Sequence, residues 1–131
     1  MRLYLDTAPI VYLLEQVPLY AEAVDRRVSS DGVIQVASDL TRLECRVKPM
    51  RDHNDSLLQD YDDYFNEVVT EIVPLSGVVM DWATGIRAHY GFKTPDTIHL
   101  AAAVVSGCDV FLTNDQRLDC FSAIAVEVVQ L

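Results

Sequence analysis

The stretch Lys93–Asp119, KTPDTIHLAAAVVSGCDVFLTNDQRLD, sets the tightest limit on the fold. Thr94 is a good helix N-cap, and Pro95 suits the first helical position. Asp96 then falls in the first helical turn, where a carboxylate complements the helix dipole. Ile98, Ala101, Ala102 and Val105 recur at helical spacing and give that helix an apolar face. Gly107 is a natural stop. Val110–Leu112 is a short buried strand, and Thr113-Asn114-Asp115 leaves its carboxyl end. A helix feeding directly into a buried strand is half of a βαβ unit, and parallel sheets gather their sites at strand ends and helix starts.

The rest of the chain repeats this alternation. Leu3-Tyr4-Leu5 predicts a strand ending at Asp6. Thr7 is the expected N-cap of a helix through Glu15, which Pro18 breaks. Leu19–Ser30 predicts a second helix, Ser29–Gly32 a turn, and Val33–Ala37 a second strand. Ser38 can cap a helix to about Lys48, with Leu40, Leu43 and Val47 on its apolar face and Pro49 as its stop. Arg51–Ile72 predicts the longest helix. Its apolar side is Leu57, Leu58, Tyr61, Phe65, Val68, Val69 and Ile72, and its solvated side carries Asp55, Asp62, Asp63, Glu67 and Glu71. A short strand, Glu71–Val73, a helix over Gly77–Tyr90 closed by Gly91, and a last strand over Ile124–Val128 complete the series. Strands alternating with helices require crossovers, so the expected fold class is α/β: a three-layer α/β/α sandwich whose four- or five-stranded sheet is mostly parallel. At 131 residues the chain is expected to form one domain, 1–131.

Composition narrows the function. The net charge of −10 argues against broad electrostatic gripping of nucleic acid by one subunit. It suits a solvated acidic surface, a basic partner segment, or acids gathered around a divalent cation. Cys45, Cys108 and Cys120 lack the spacing of a zinc site or a disulfide framework and fit a reduced, cytoplasmic setting. The N-terminus makes a poor signal peptide, and no apolar run is long enough for a membrane span.

Four acids occupy comparable places. Asp6 ends the first strand, Glu44 lies in the helix after the second, Asp96 begins its helix, and Asp115 follows the fourth strand. All four can approach one crevice at the carboxyl edge of the sheet. Three or four carboxylates converging without a Cys or His suit a hard cation, Mg²⁺ or Mn²⁺, which activates water and neutralises charge on a phosphoryl group. Each acid also has a plainer role. Asp6 can prepare a helix start, Glu44 can close a capping box with Thr41, Asp96 can serve the helix dipole, and Asp115 can cap a turn. His99 can be a packed core histidine, and Asp119 a surface acid. Arg42 and Arg46, with Lys48 and Arg51, flank Glu44; they can face RNA phosphates or form ion pairs on a solvated helix.

The ordered segments LYLDT (3–7), LTRLE (40–44), TPDTIHLAAA (94–103) and VFLTND (110–115) resemble a PIN-domain ribonuclease, and their spacing is similar to the VapC-type toxins of type II toxin–antitoxin pairs. The resemblance implies a metal-dependent endoribonuclease, with Asp6, Glu44, Asp96 and Asp115 as catalytic, metal-binding acids and Mg²⁺ or Mn²⁺ as cofactor. Thr7 and Thr113 would be supporting hydroxyls, and Arg42 and Arg46 candidate RNA contacts. It also implies a homodimer and a cognate antitoxin whose basic segment inhibits the enzyme. Gln116-Arg117-Leu118 departs from the family, which often carries another acid before an aromatic there. The competing functions are a non-catalytic binding module of the same fold and a receiver-type signalling domain. The receiver pattern is poorly met: Asp6 stands alone, no Asp follows Val73, and no Lys follows Lys93. A haloacid-dehalogenase-type phosphatase would need DxD, and residue 8 is Ala.

Overall fold

The computed structural model describes residues 1–131. Five short strands form one sheet: β1 (Arg2–Leu5), β2 (Ile34–Ser38), β3 (Glu71–Val73), β4 (Val110–Thr113) and β5 (Ala125–Val128). Six helices connect them: α1 (Thr7–Leu14), α2 (Tyr20–Val28), α3 (Asp39–Arg51), α4 (Asp55–Asp63), α5 (Gly77–Tyr90) and α6 (Thr94–Val105). The strand order is β3-β2-β1-β4-β5, and every neighbouring pair is parallel.

Side chains alternate across the pleat, so each strand supplies both layers of core. Leu3, Leu5, Ala37 and Leu112 pack with Ile10, Val24, Cys45, Tyr61 and Phe65, from α1 to α4 and the turn after it. Tyr4, Val36, Val73 and Phe111 pack on the other side with Val79, Ile86, Leu100 and Ala101 of α5 and α6. Tyr4 and Phe111 stack with ring centroids 5.3 Å apart. The direction of chain travel explains the layering. From β1 to β3 the chain steps toward one edge, then from β3 it returns across the sheet to β4. Right-handed crossovers place the first set of helices on one face and α5 and α6 on the other. The result is a three-layer α/β/α sandwich. The reversal opens a crevice outside the carboxyl ends of β1 and β4.

Several local expectations need correction. Asp6, not Thr7, caps α1: its carboxylate accepts the Thr7 N–H at 2.8 Å. Pro49 does not stop α3, which runs on to Arg51 with Pro49 buried inside it. A proline removes only one helical hydrogen bond, and tertiary packing of its ring can offset that loss. The stripe Leu43 and Val47 faces solvent at 58% and 49% exposure, while Thr41, Cys45 and Pro49 face inward. The capping box at the start of α3 joins Ser38 and Thr41, so Glu44 is not part of it. The expected helix Arg51–Ile72 is broken at its start, where His53 has φ of 54°. Asn54 then caps α4 by accepting the Leu57 N–H at 3.1 Å. The helix ends at Asp63 in a π-turn over Tyr64–Val68, before β3. Tyr61, Phe65 and Val69 are buried as their spacing predicts, but Val68 is exposed. At α6 the N-cap position falls on Lys93, with no side-chain cap, and Thr94 is already helical. No helix is long and apolar enough to cross a membrane.

Candidate active site

Asp6 sits where β1 ends and α1 begins. Its backbone N–H continues the ladder to Leu112 O at 2.9 Å, which fixes it beside β4. One carboxylate oxygen accepts the Thr7 N–H, and the other accepts the Thr113 hydroxyl at 2.8 Å. The same Thr113 oxygen accepts the Asp115 N–H at 3.0 Å. A single buried hydroxyl therefore ties the first acid to the loop that carries the last one.

Glu44 reaches the site from α3. Its Oε1 accepts the Thr7 hydroxyl at 2.7 Å and lies 2.6 Å from His99 Nε2. Burial pushes this carboxyl up, but hydrogen bonds from His99 and Thr7 outweigh burial and hold it below its ordinary value. His99 is 1% exposed. Its Nδ1 lies 2.8 Å from the Tyr4 hydroxyl, itself 2.8 Å from Ser38 Oγ. The closest neighbours of Nε2 are carboxylates, Glu44 at 2.6 Å and Asp6 at 3.6 Å, so this nitrogen carries a proton. Burial keeps the Tyr4 phenol protonated by pushing its pKa up. His99 is thus a core histidine and also the post that holds Glu44.

Asp96, in the first turn of α6, is partly buried. Burial raises its pKa, and the negative charges of Asp6 and Asp115 raise it further; His99 and Arg117 offset this only in part. No hydrogen bond contributes to that balance. Asp115 has the opposite surroundings. Arg117 grips it with a two-pronged contact, Nε to Oδ1 at 2.9 Å and Nη2 to Oδ2 at 2.7 Å, and the Arg117 N–H adds a third at 3.0 Å. Those contacts hold Asp115 below the ordinary carboxylate range. Asp115 also caps the 3₁₀ turn Gln116–Cys120. A cavity of about 260 Å³ opens here, between Phe92 and Lys93 on one side and Arg117 and Leu118 on the other, with Asp96 and Asp115 in its lining.

Asp6, Glu44, Thr7 and Thr113 thus meet in one hydrogen-bonded group that His99 completes, and Asp96 stands close enough to both Asp6 and Asp115 for their charges to interact. The set is open and not a finished cage: no three His, Cys, Asp or Glu side chains close around a common point. Glu44 is turned toward His99, and Asp115 toward Arg117. The donor chemistry nonetheless fits a hard divalent cation. The donors are all carboxylate oxygens, and Asp96 is a partly buried acid crowded by like charges that a cation would neutralise.

Arg42 and Arg46 stand apart from this group. Arg42 lies 3.8 Å from Asp39, and Arg46 Nε lies 2.9 Å from Asp62 Oδ1, the two atoms buried between partly exposed side chains and without hydrogen-bond alignment. The groove they line holds Leu43, Val47 and Met50 and none of the four acids. Three contributors escaped the sequence reading: the Tyr4–His99 support beneath Glu44, Arg117 on Asp115, and Lys93 beside the cavity. The spacing of His99, three residues after Asp96, puts both on one side of α6 and was the available signal for the first.

The family model of the PIN domain matches residues 3–126. Among curated proteins none matches the chain in sequence. Solved structures do match in shape. VapBC2 from Rickettsia felis, bound to a DNA fragment from its promoter, superposes with a TM-score of 0.82 at 14% identity, covering 99% of this chain and 100% of the other. VapC20 of Mycobacterium tuberculosis, a sarcin-ricin loop cleaving toxin, gives a TM-score of 0.74 at 12% identity over 94% of this chain and 98% of the other. VapBC-1 from nontypeable Haemophilus influenzae gives 0.73 at 18% identity over 98% of both chains. At these identities the likeness is one of fold. With the family match spanning nearly the whole sequence, the chain belongs to the PIN domain family.

Proposed function

We propose that this chain is a metal-dependent endoribonuclease and the toxin of a type II toxin–antitoxin pair. The observation that carries the reading is Asp96: a partly buried acid whose pKa is raised by burial and by Asp6 and Asp115, at the carboxyl edge of β1 and β4. Family membership supports nuclease chemistry. The solved relatives named as toxins, or as toxin–antitoxin complexes, support the biological role.

In this reading Asp6, Asp96 and Asp115 hold Mg²⁺ or Mn²⁺, with Glu44 beside them. The ion supplies water activation and neutralises charge gathering at phosphorus. The chain's own residues do the positioning. Thr113 fixes Asp6 and ties it to the Asp115 backbone. Thr7 and His99 fix Glu44, leaving its second oxygen, Oε2, to orient water or accept a proton. Asp115 must leave Arg117 to take its place in the set.

The same charge pattern describes the partner. An antitoxin would present Arg to the acids, and Arg117 already makes the two-pronged contact on Asp115 that a partner's guanidinium would make. Inhibition should therefore weaken as Mn²⁺ rises at fixed ionic strength. The reading places the protein in the cytoplasm and as a homodimer, which sedimentation at micromolar concentration would detect.

The direct test is incubation of purified protein with structured and single-stranded RNA in Mg²⁺ or Mn²⁺. Cleavage that stops when the ion is chelated is the expected result. RNA that stays intact with both ions, or cleavage indifferent to chelation, contradicts the reading.

A further inference from the structure

Seven of the ten Lys and Arg side chains lie against a carboxylate. The three that do not are Arg26, Arg87 and Lys93. Of these, Lys93 alone lines the cavity beside Asp96 and Asp115. It is exposed, and its positive charge reaches Asp115, whose pKa it helps to lower. Across the cavity stands Arg117, with 70% of its side chain exposed and its guanidinium on Asp115. Two cations thus face one hollow in a chain that is otherwise strongly acidic.

We propose that Lys93 and Arg117 form a subsite for a phosphodiester group of the RNA strand, next to the group that is cut. The inference rests on the ribonuclease reading above. At roughly 30 Å³ per water, the cavity's volume equals about nine waters, which accommodates a phosphate with its flanking sugar carbons. Lys93 needs no rearrangement, because its ammonium has no partner to give up. Arg117 exchanges one anion for another. When Asp115 turns toward a cation, the guanidinium loses its carboxylate, and the fork that fitted two carboxylate oxygens fits two phosphate oxygens. The exchange keeps the fork matched to an anion before and after substrate binds. It also supplies the backbone grip that a net charge of −10 otherwise denies, and it does so without Arg42 and Arg46, which face Asp39 and Asp62.

The subsite predicts a definite pattern of binding. The probe is a short, fluorescein-labelled, single-stranded phosphorothioate RNA, which resists hydrolysis, read by anisotropy in Mn²⁺ at several KCl concentrations. Lys93→Gln and Arg117→Gln should each weaken binding about 10-fold, and each should flatten the plot of log affinity against log salt by about 0.7, the value for one lost phosphate contact on a single strand. Arg26→Gln removes the same charge at the far end of α2 and should do neither. Arg117→Lys should recover only part of the loss, since it restores charge without the fork. Both target side chains are exposed, and Lys93 makes no capping bond, so the variants should fold. Calorimetry without RNA should find Mn²⁺ bound at least as tightly by Arg117→Gln as by wild type, because a competitor for Asp115 is gone. If Lys93→Gln and Arg117→Gln lose no more affinity or salt slope than Arg26→Gln, the subsite is wrong, and the cleavage assay still decides the ribonuclease reading on its own. If wild type neither binds the probe nor cuts RNA, both fall.

Discussion

Asp96→Asn is expected to leave the sheet intact and to lower metal-dependent RNA cleavage by about 10² or more, the scale expected when one preorganised charge at a reacting phosphate is lost. Amide and carboxylate share a shape, so packing in the first turn of α6 should not change. What changes is the electrostatics. In the metal-free protein, burial and the charges of Asp6 and Asp115 hold the Asp96 pKa above its ordinary value of 3.8. A folded-state pKa above the unfolded one means the folded chain holds that proton more tightly. The stabilisation is fully present below pH 3.8 and is lost as pH rises through the raised value. At neutral pH Asp96 therefore works against folding, and Asn does not. Melts in chelator should show the variant equal to or more stable than wild type near neutrality, with its advantage shrinking toward acid. Glu44 and Asp115 act in the opposite sense: their folded pKa values are lowered, so their stabilisation is present above the unfolded values and is lost as pH falls through the folded ones. Because both proteins keep those two acids, the difference between the melts isolates Asp96. A variant that melts much lower than wild type at neutral pH would show Asp96 to be a structural helix-start residue. Cation affinity in wild type should fall as pH drops through the raised Asp96 value, since a proton then competes for the ligand.

His99→Ala should produce the largest loss of stability, about 2–4 kcal/mol, from a cavity in the core plus broken hydrogen bonds. That corresponds to a fall in Tm of roughly 10 °C for a chain of this size. The side chain is fully enclosed and joins the Tyr4 hydroxyl to Glu44, so its removal leaves a buried hydroxyl and a partly buried carboxylate each short of one partner. The second consequence separates positioning from mere packing. Without the His99 hydrogen bond, burial would dominate at Glu44 and push its pKa up. The acid limb of the cleavage profile should then move to higher pH, and His99→Gln, which can offer an N–H to Glu44, should move it part of the way back. A variant with unchanged Tm and unchanged acid limb would remove His99 from the account.

The parts of the fold that were legible in sequence are those fixed by local chemistry. Leu3–Leu5 and Val110–Leu112 are too short and too apolar to be anything but buried strands, and both are. Gly91 and Gly107, at φ of 74° and 71°, take the left-handed geometry that ends α5 and α6. Periodicity was less informative where it could not say what a face meets. Leu43 and Val47 recur like core positions on α3, but the inward side of that helix is Thr41, Cys45 and Pro49. The break before α4 was signalled by Asn54, three residues ahead of Leu57, yet the apolar spacing after it hid the cap. Asp6, Asp96 and Asp115 were visible because each follows a strand or opens a helix, and Glu44 because it lies in the helix that follows β2. Their partners were not. His99 reaches Glu44 across 55 positions, and Tyr4 reaches His99 across 95. Such contacts exist only once β1, α3 and α6 are packed. Arg117 was near at hand, two residues from Asp115, but a carboxylate–guanidinium contact at that spacing depends on the 3₁₀ turn between them.

The central claim is that Asp6 and Asp115, which follow β1 and β4, together with Asp96 at the start of α6, hold a divalent cation. Titration calorimetry with Mn²⁺ tests it most directly, comparing wild type with a combined Asp6→Asn, Asp96→Asn variant whose fold is checked by circular dichroism. The account predicts saturable binding by wild type and none by the folded variant over the same concentration range. Equal binding by the two proteins would contradict it.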